Sequence, residues 1–271
     1  MNLTFLIPVK LESQDRVRNL TTIITYLLHH FDAKVSVQEC DKVQNFHNHV
    51  LPSLNERFSD VSDRLEYHFE EQKSPFFHKT KILNDLLVRS DTEVVCNYDV
   101  DALFPKTSYD LAYEMIMRNQ TDAVYPYGCG VYQKAITYSP ETFESFIDSD
   151  MDVTHLDKYA TINNSTIGWC QFIRRKNYLK SFMMNENFHA WGPEDCELYY
   201  RLNYLGNRVT RIDDYVYHLE HSRTNDSWFS NPLWKENVQL WHWLQTQTPE
   251  QYVKYYQKQD YVKRRLDSVS I

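Results

Sequence analysis

Hydrophobic and polar positions along the chain follow two periods, and the switches between them mark the elements. Leu3 to Ile7 is a continuous apolar run closed by Pro8, the pattern of a strand buried on both faces. Asp15 to His30 then sets Val17, Leu20, Ile23, Ile24, Leu27 and Leu28 on one helical stripe. Val35 to Gln38 reads as a second short strand, with Glu39 and Asp41 at its carboxyl end. Strand, helix and strand at this spacing predict a right-handed crossover and a parallel sheet. Ligands of such sheets bind beyond the carboxyl ends of the strands, where Lys10, Arg16, Glu39 and Asp41 all fall.

The alternation continues downstream. His47 to Phe58 is ambiguous, Leu65 to Glu70 alternates as a strand, and Lys79 to Arg89 carries a helical stripe of Ile82, Leu83, Leu86 and Leu87. Val94 to Tyr98 is a buried strand, Ser108 to Arg118 a helix and Ala123 to Tyr125 a strand; Tyr127 to Gly130 is a turn. Ser139 opens a helix with Pro140 just inside it. Asp148 to Asn164 is polar and reads as a flexible loop. Ile167 to Ile173 reads as a strand, Lys176 to Phe182 as a short helix, Asn185 to Pro193 as a loop and Glu194 to Leu205 as a helix ended by Gly206. Arg208 to Ile212 and Tyr215 to Leu219 are short strands, and Asn225 to Pro232 is a loop. Glu236 to Leu244 and Pro249 to Arg265 form terminal helices rich in Tyr and Trp, including Trp228 ahead of them; these aromatics pack, or bind an acceptor or partner. The expectation is an α/β fold with a mostly parallel mixed sheet: one domain over 1–225 and a helical extension over 226–271 packed on it.

Composition narrows the partners. A net charge of −8 over 271 residues argues against nucleic acid. Five cysteines, an odd count without a Cys-x-x-Cys pair, argue against a disulfide framework or zinc cage and suit a reducing compartment. The apolar run after Met1 is too short for a signal peptide or a membrane span, and no later stretch reaches spanning length. The chain is therefore expected to be soluble and cytoplasmic, with peripheral contact to the inner membrane through its acceptor left open.

Three stretches carry candidate chemistry. In the first, the strand Val94 to Tyr98 runs into Asp99-Val100-Asp101. A continuing strand would point both carboxylates the same way, where they repel unless a cation sits with them. Hard divalent ions such as manganese or magnesium favour such oxygens and keep positions for phosphate. A solvated acidic turn is the alternative. In the second, Trp191-Gly192-Pro193-Glu194-Asp195-Cys196-Glu197 opens a helix, whose dipole tolerates acids. Trp191 also sets an aromatic plane beside carboxylates able to take a hydroxyl proton from a sugar. In the third, His218 and His221 follow a strand and offer imidazole ligands. His155, His189 and His242 carry no such context.

Together these stretches resemble the GT-A glycosyltransferases, above all the β-1,4-galactosyltransferase and bacterial chondroitin-polymerase types. The resemblance rests on Tyr98-Asp99-Val100-Asp101, on Trp-Gly-x-Glu-Asp-x-Glu before Tyr200-Arg201-Leu202, and on His221-Ser222-Arg223. Ile7-Pro8-Val9 and Phe77-His78-Lys79-Thr80-Lys81-Ile82-Leu83-Asn84 support it, so that it covers Leu3 to Arg223. It implies a metal held by Asp101 and His221, with His218 as a second imidazole ligand, and Asp99 touching the ribose or a metal-bound water. It implies Asp195 as general base and Glu194 on an acceptor hydroxyl. Lys10, Arg16, Glu39, Asp41 and Lys79 would lie near the nucleotide, Gly168 and Trp169 under the donor sugar, and Trp191 beside the sugars. Pro193 stands where the family usually has glycine, Cys196 where the galactosyltransferases have an acid, and Trp169 where a small residue is common.

The implied reaction is inverting, manganese- or magnesium-dependent transfer of a hexose or N-acetylhexosamine from a UDP-sugar to a glycan or glycolipid hydroxyl, in surface polysaccharide synthesis. The acid at Asp195 favours inversion, because the related retaining enzymes typically carry an amide there. A retaining transferase of the same fold and a non-catalytic nucleotide-sugar-binding module are the rivals.

Overall fold

A computed structural model describes residues 1–162, 167–223 and 231–269. Parallel strands with apolar faces dominate it. Strands β1 (Leu3–Val9), β2 (Lys34–Asp41), β3 (Leu65–Glu71) and β4 (Val94–Tyr98) pair in parallel. Between them run helices α1 (Gln14–His30), α2 (Phe46–His49), α3 (Leu51–Arg57) and α4 (Lys79–Arg89). The ambiguous stretch 47–58 is thus two short helices. Next come β5 (Ala102–Leu103), α5 (Lys106–Met117), β6 (Ala123–Tyr125), β7 (Gln133–Ile136), α6 (Pro140–Asp148) and β8 (Ala160–Ile162). The chain continues through β9 (Cys170–Arg174), α7 (Arg175–Lys180), α8 (Glu194–Tyr204), β10 (Val209–Arg211) and β11 (Val216–Leu219). Helices α9 (Trp234–Gln245), α10 (Pro249–Gln257) and α11 (Asp260–Asp267) complete it.

The main sheet has seven strands in the order β10-β6-β9-β4-β1-β2-β3. Only β9 runs antiparallel to its neighbours β4 and β6, so residues 168 and 169, just before β9, meet the carboxyl end of β4. A second sheet has the order β5-β11-β7-β8, and its strand β5 follows β4 after residues 99–101. Alternate residues of the central strands serve different layers, the period-two rule for a sheet covered on both sides. Phe5, Ile7, Cys96 and Tyr98 pack with α1 and α5, whereas Leu6 and Val95 pack with α4, α7 and α8.

Several expectations are corrected. The loop assigned to 148–164 contains a 3-10 helix, Val153–Tyr159, and strand β8; its last two residues lie outside the described ones. Ser145, His155 and Lys158 hydrogen-bond one another there, which gives the polar residues partners in an ordered element. The last predicted helix is two, because Gln259 takes an extended conformation and caps α11. Strand β7 was not expected. Most of the loop predicted at 225–232, and Trp228, lie outside the described residues. Helices α9–α11 bury Leu244, Tyr252, Tyr256 and Val262 against Phe188, Tyr200 and Tyr204.

Candidate functional site

Strand β4 ends at Tyr98 and the chain turns at Val100 and Asp101, so the two aspartates of Asp-x-Asp do not point the same way. Asp99 continues the phase of Val95 and Asn97 and faces α4 and α8. There the Lys79 ammonium, the first residue of α4, lies 2.9 Å from Asp99 Oδ1, 3.2 Å from Asp195 Oδ2 and 4.0 Å from Glu194 Oε1. Three carboxylates around one partly buried cation leave an excess of negative charge. Burial pushes the Asp99 carboxyl up to about 7 and that of Glu194 up to about 8, the neighbouring carboxylates adding to both against Lys79. Lys79 itself stays charged, because Asp195, Asp99 and Glu194 outweigh its loss of solvent.

Asp101 turns the other way. It precedes β5, which pairs antiparallel with β11 so that His218 stands opposite Ala102, and the Leu219 N–H donates to the Asp101 carbonyl at 2.6 Å. This register brings His221 Nε2 to 3.0 Å, His218 Nε2 to 3.8 Å and Arg16 to 3.3 Å from Asp101 Oδ2. The N-terminal turn of α1 secures the arrangement: Asp15 accepts the Ser222 N–H at 2.7 Å, and the Asn19 amide donates to the Leu219 carbonyl at 2.9 Å. Burial opposes the Asp101 charge, but both imidazoles and Arg16 outweigh it and hold the carboxyl well below the usual range. Burial also lowers His218 to about 4, leaving it a neutral lone-pair donor.

Ligand atoms of Asp101, His218 and His221 lie within 4.8 Å of one another. Asp101 Oδ1 and His218 Nδ1 are buried without a hydrogen-bond partner. Orphaned buried acceptors are costly unless something binds them. One carboxylate and two imidazoles form a donor set suited to a manganese-type ion, so the residues fit the expected metal.

Other predicted residues are distributed more widely. Gly168 packs under Asp195: a Cβ there would run into Asp195 Oδ2. Trp169 is buried, its carbonyl accepts the Asp99 N–H at 2.9 Å, and its ring stacks on His218 at 5.5 Å. Trp191 stacks on Trp234 at 4.9 Å. Glu39 accepts the Asn45 and Phe46 N–H groups, capping α2, and the Tyr67 hydroxyl at 2.5 Å. Asp41 accepts the Leu11 and Lys42 N–H groups, and Lys10 pairs with Glu12 at 2.9 Å. The carboxylates of Glu39 and Asp41 thus hold loop backbone at the sheet's carboxyl edge. Gln171, which sequence reasoning passed over, aims its amide at Asp195 Oδ1 at 3.5 Å and at the Gly168 carbonyl. A polar residue inside the buried strand β9 was the available signal.

Residues 156–222 match the family model described as the N-terminal domain of galactosyltransferase; they contain His218, His221, Glu194 and Asp195. No curated protein matches the chain by sequence. Among solved structures, S. aureus TarS 1–349 in complex with UDP-GlcNAc aligns with TM-score 0.52 and 13% identity, covering 83% of this chain and 60% of that one. The chain thus spans three-fifths of the TarS structure. The mannosyltransferase PcManGT from Pyrobaculum calidifontis, in complex with GDP-Man and Mn2+, aligns at 0.55 and 14% identity over 98% of this chain and 72% of that one. GalNAc-T7 with UDP, GalNAc and Mn2+ aligns at 0.53 and 12% identity over 82% and 43%. The fold of the chain is that of the GT-A glycosyltransferases.

Proposed function

We propose that the chain is an inverting, divalent-metal-dependent glycosyltransferase that moves a hexose or N-acetylhexosamine from a UDP-sugar to a glycan or glycolipid hydroxyl in polysaccharide synthesis. The observation that carries this reading is the Asp101–His218–His221 cluster, with the Asp99–Lys79–Asp195 chain running from the same turn to the first turn of α8. Sugar nucleotides and Mn2+ in the similar structures support it.

A divalent ion held by Asp101, His221 and His218 would neutralise charge growing on the leaving diphosphate. Asp195 accepts the proton of the attacking hydroxyl, and Lys79 and Gln171 hold its two oxygens in place. Glu194, kept protonated by burial, can donate a hydrogen bond to the acceptor. Arg16 sets the orientation of Asp101. No helix of the described residues is long and apolar enough to cross a membrane; the proposed location is the cytoplasm, with the acceptor met at the inner membrane.

The test is a screen of UDP-glucose, UDP-galactose and their N-acetyl forms for Mn2+-dependent UDP release. Turnover of one of them supports the proposal. Tight binding without turnover, with any acceptor, favours a binding module instead.

A further inference from the structure

Residues 231–269 lie outside the match to the galactosyltransferase family model, yet they reach back to three separate segments, each of which carries a proposed site residue. The first contact is with α8. Glu197 sits on this helix two residues after Asp195, is fully buried, and accepts from four groups: Arg201 Nε at 2.8 Å, Arg201 at 3.1 Å on its other oxygen, the Tyr252 hydroxyl at 2.7 Å and the Tyr256 hydroxyl at 2.5 Å. Tyr256 also lies over the Arg201 guanidinium at 4.5 Å and stacks on Phe182 at 5.2 Å. Arg201 donates to the carbonyls of Ser181 and Met183, next to two left-handed residues, Phe182 at φ 69° and Met183 at φ 61°. Non-glycine residues hold such angles only where surrounding contacts over-determine them.

The second contact is with α4, which begins at Lys79. Arg265 of α11 donates to Asp85 at 2.8 Å and to Glu186 at 2.5 Å, and Glu186 in turn accepts the Asn84 amide at 2.9 Å. The third is with the loop before α8. Asn237 donates to the His189 carbonyl at 2.8 Å and the Trp191 carbonyl at 3.3 Å, and Asn231 donates to Trp191 at 2.6 Å. A side chain at Gly192 would meet Asn237 at 2.7 Å, so glycine there admits the contact.

Apolar packing alone would fasten three helices to a domain and would tolerate small slides. Buried hydrogen bonds are directional; breaking the ones at Glu197, Asp85 and Glu186 leaves an unpaired charge in low dielectric, and breaking the Asn237 bonds leaves unpaired carbonyls. Their convergence on the segments of Asp195, Lys79 and Trp191 fixes those segments relative to one another. We infer that residues 231–269 complete the active site as a clamp, with Tyr252, Tyr256, Arg265 and Asn237 as positioning residues for Asp195, Lys79 and Trp191. This rests on the transferase reading above.

The test uses the full chain with Tyr252→Phe and Tyr256→Phe combined, which removes two hydroxyls and no ring. At a temperature well below unfolding, the account expects kcat to fall about tenfold or more while the donor KM stays within about twofold, since small misplacements of catalytic groups act on the chemical step. Asn237→Ala is expected to raise the acceptor KM instead. Hydrogen exchange, which needs no substrate, should speed up in the first turn of α8 in the double variant. Unchanged kcat together with a lowered melting temperature would overturn the clamp and leave a merely structural role. If the double variant does not fold, the same readings on Tyr252→Phe alone decide. If the wild-type chain turns over no UDP-sugar, the transferase reading fails, and the exchange result still decides the clamp: unchanged exchange in α8 overturns it.

Discussion

His221 Nε2 lies 3.0 Å from Asp101 Oδ2, and this contact joins the two ends of the proposed metal site. It forms because β11 pairs with β5 and because Asp15 holds the Ser222 backbone. His221→Ala is expected to raise the Mn2+ concentration needed for half-maximal turnover by about tenfold or more, as loss of one donor weakens a three-ligand site. An unchanged Mn2+ titration would remove His221 from the ligand set.

Asp195 is held by Lys79 and Gln171 and packs on Gly168. Asp195→Asn should lower kcat about 10²–10⁴-fold, the usual worth of a general base, with UDP binding largely retained. Transfer at the wild-type rate would assign the base elsewhere.

Gly168 offers a second route to the same group. A methyl added there collides with the Asp195 carboxylate, so Gly168→Ala should reduce turnover in a chain whose circular dichroism still matches the wild type. Full activity in this variant would show that Asp195 can leave its observed position without consequence.

Glu194 provides a pH prediction. Its carboxyl titrates near 4.5 when free and is raised to about 8 by burial in the folded chain, with Asp195 adding to the shift. The folded state then binds the proton more tightly. Its contribution to stability is therefore fully present below pH 4.5 and is lost as the pH rises through about 8. Urea midpoints of the wild type should therefore fall relative to those of Glu194→Gln between about pH 5 and 8, the variant becoming relatively more stable. A difference that stays flat across that window would contradict a protonated, buried Glu194.

Much of this was legible from hydrophobic pattern. Lys79–Arg89, Val94–Tyr98 and Ala123–Tyr125 have the predicted bounds, because each is a strong apolar stripe or run between polar breaks. Strand β7 was not legible: Gln133–Ile136 is short, and its partners β8 and β11 are distant in sequence. The divergence of Asp99 and Asp101 was hidden for a different reason. Strand alternation predicts one direction for both, but the turn at Val100 sends Asp101 toward the second sheet. The clamp was hidden because Glu197 reads locally as one more acid in the first turn of a helix, and its partners Tyr252 and Tyr256 lie in a region whose aromatics read as packing or as acceptor or partner contacts.

Calorimetric titration of UDP into the chain, with Mn2+ and with chelator, and again into Asp101→Ala, tests the central claim most directly. The account predicts saturable UDP binding that requires Mn2+ and disappears in Asp101→Ala. Equal UDP affinity in all three conditions would contradict a metal–diphosphate site at Asp101.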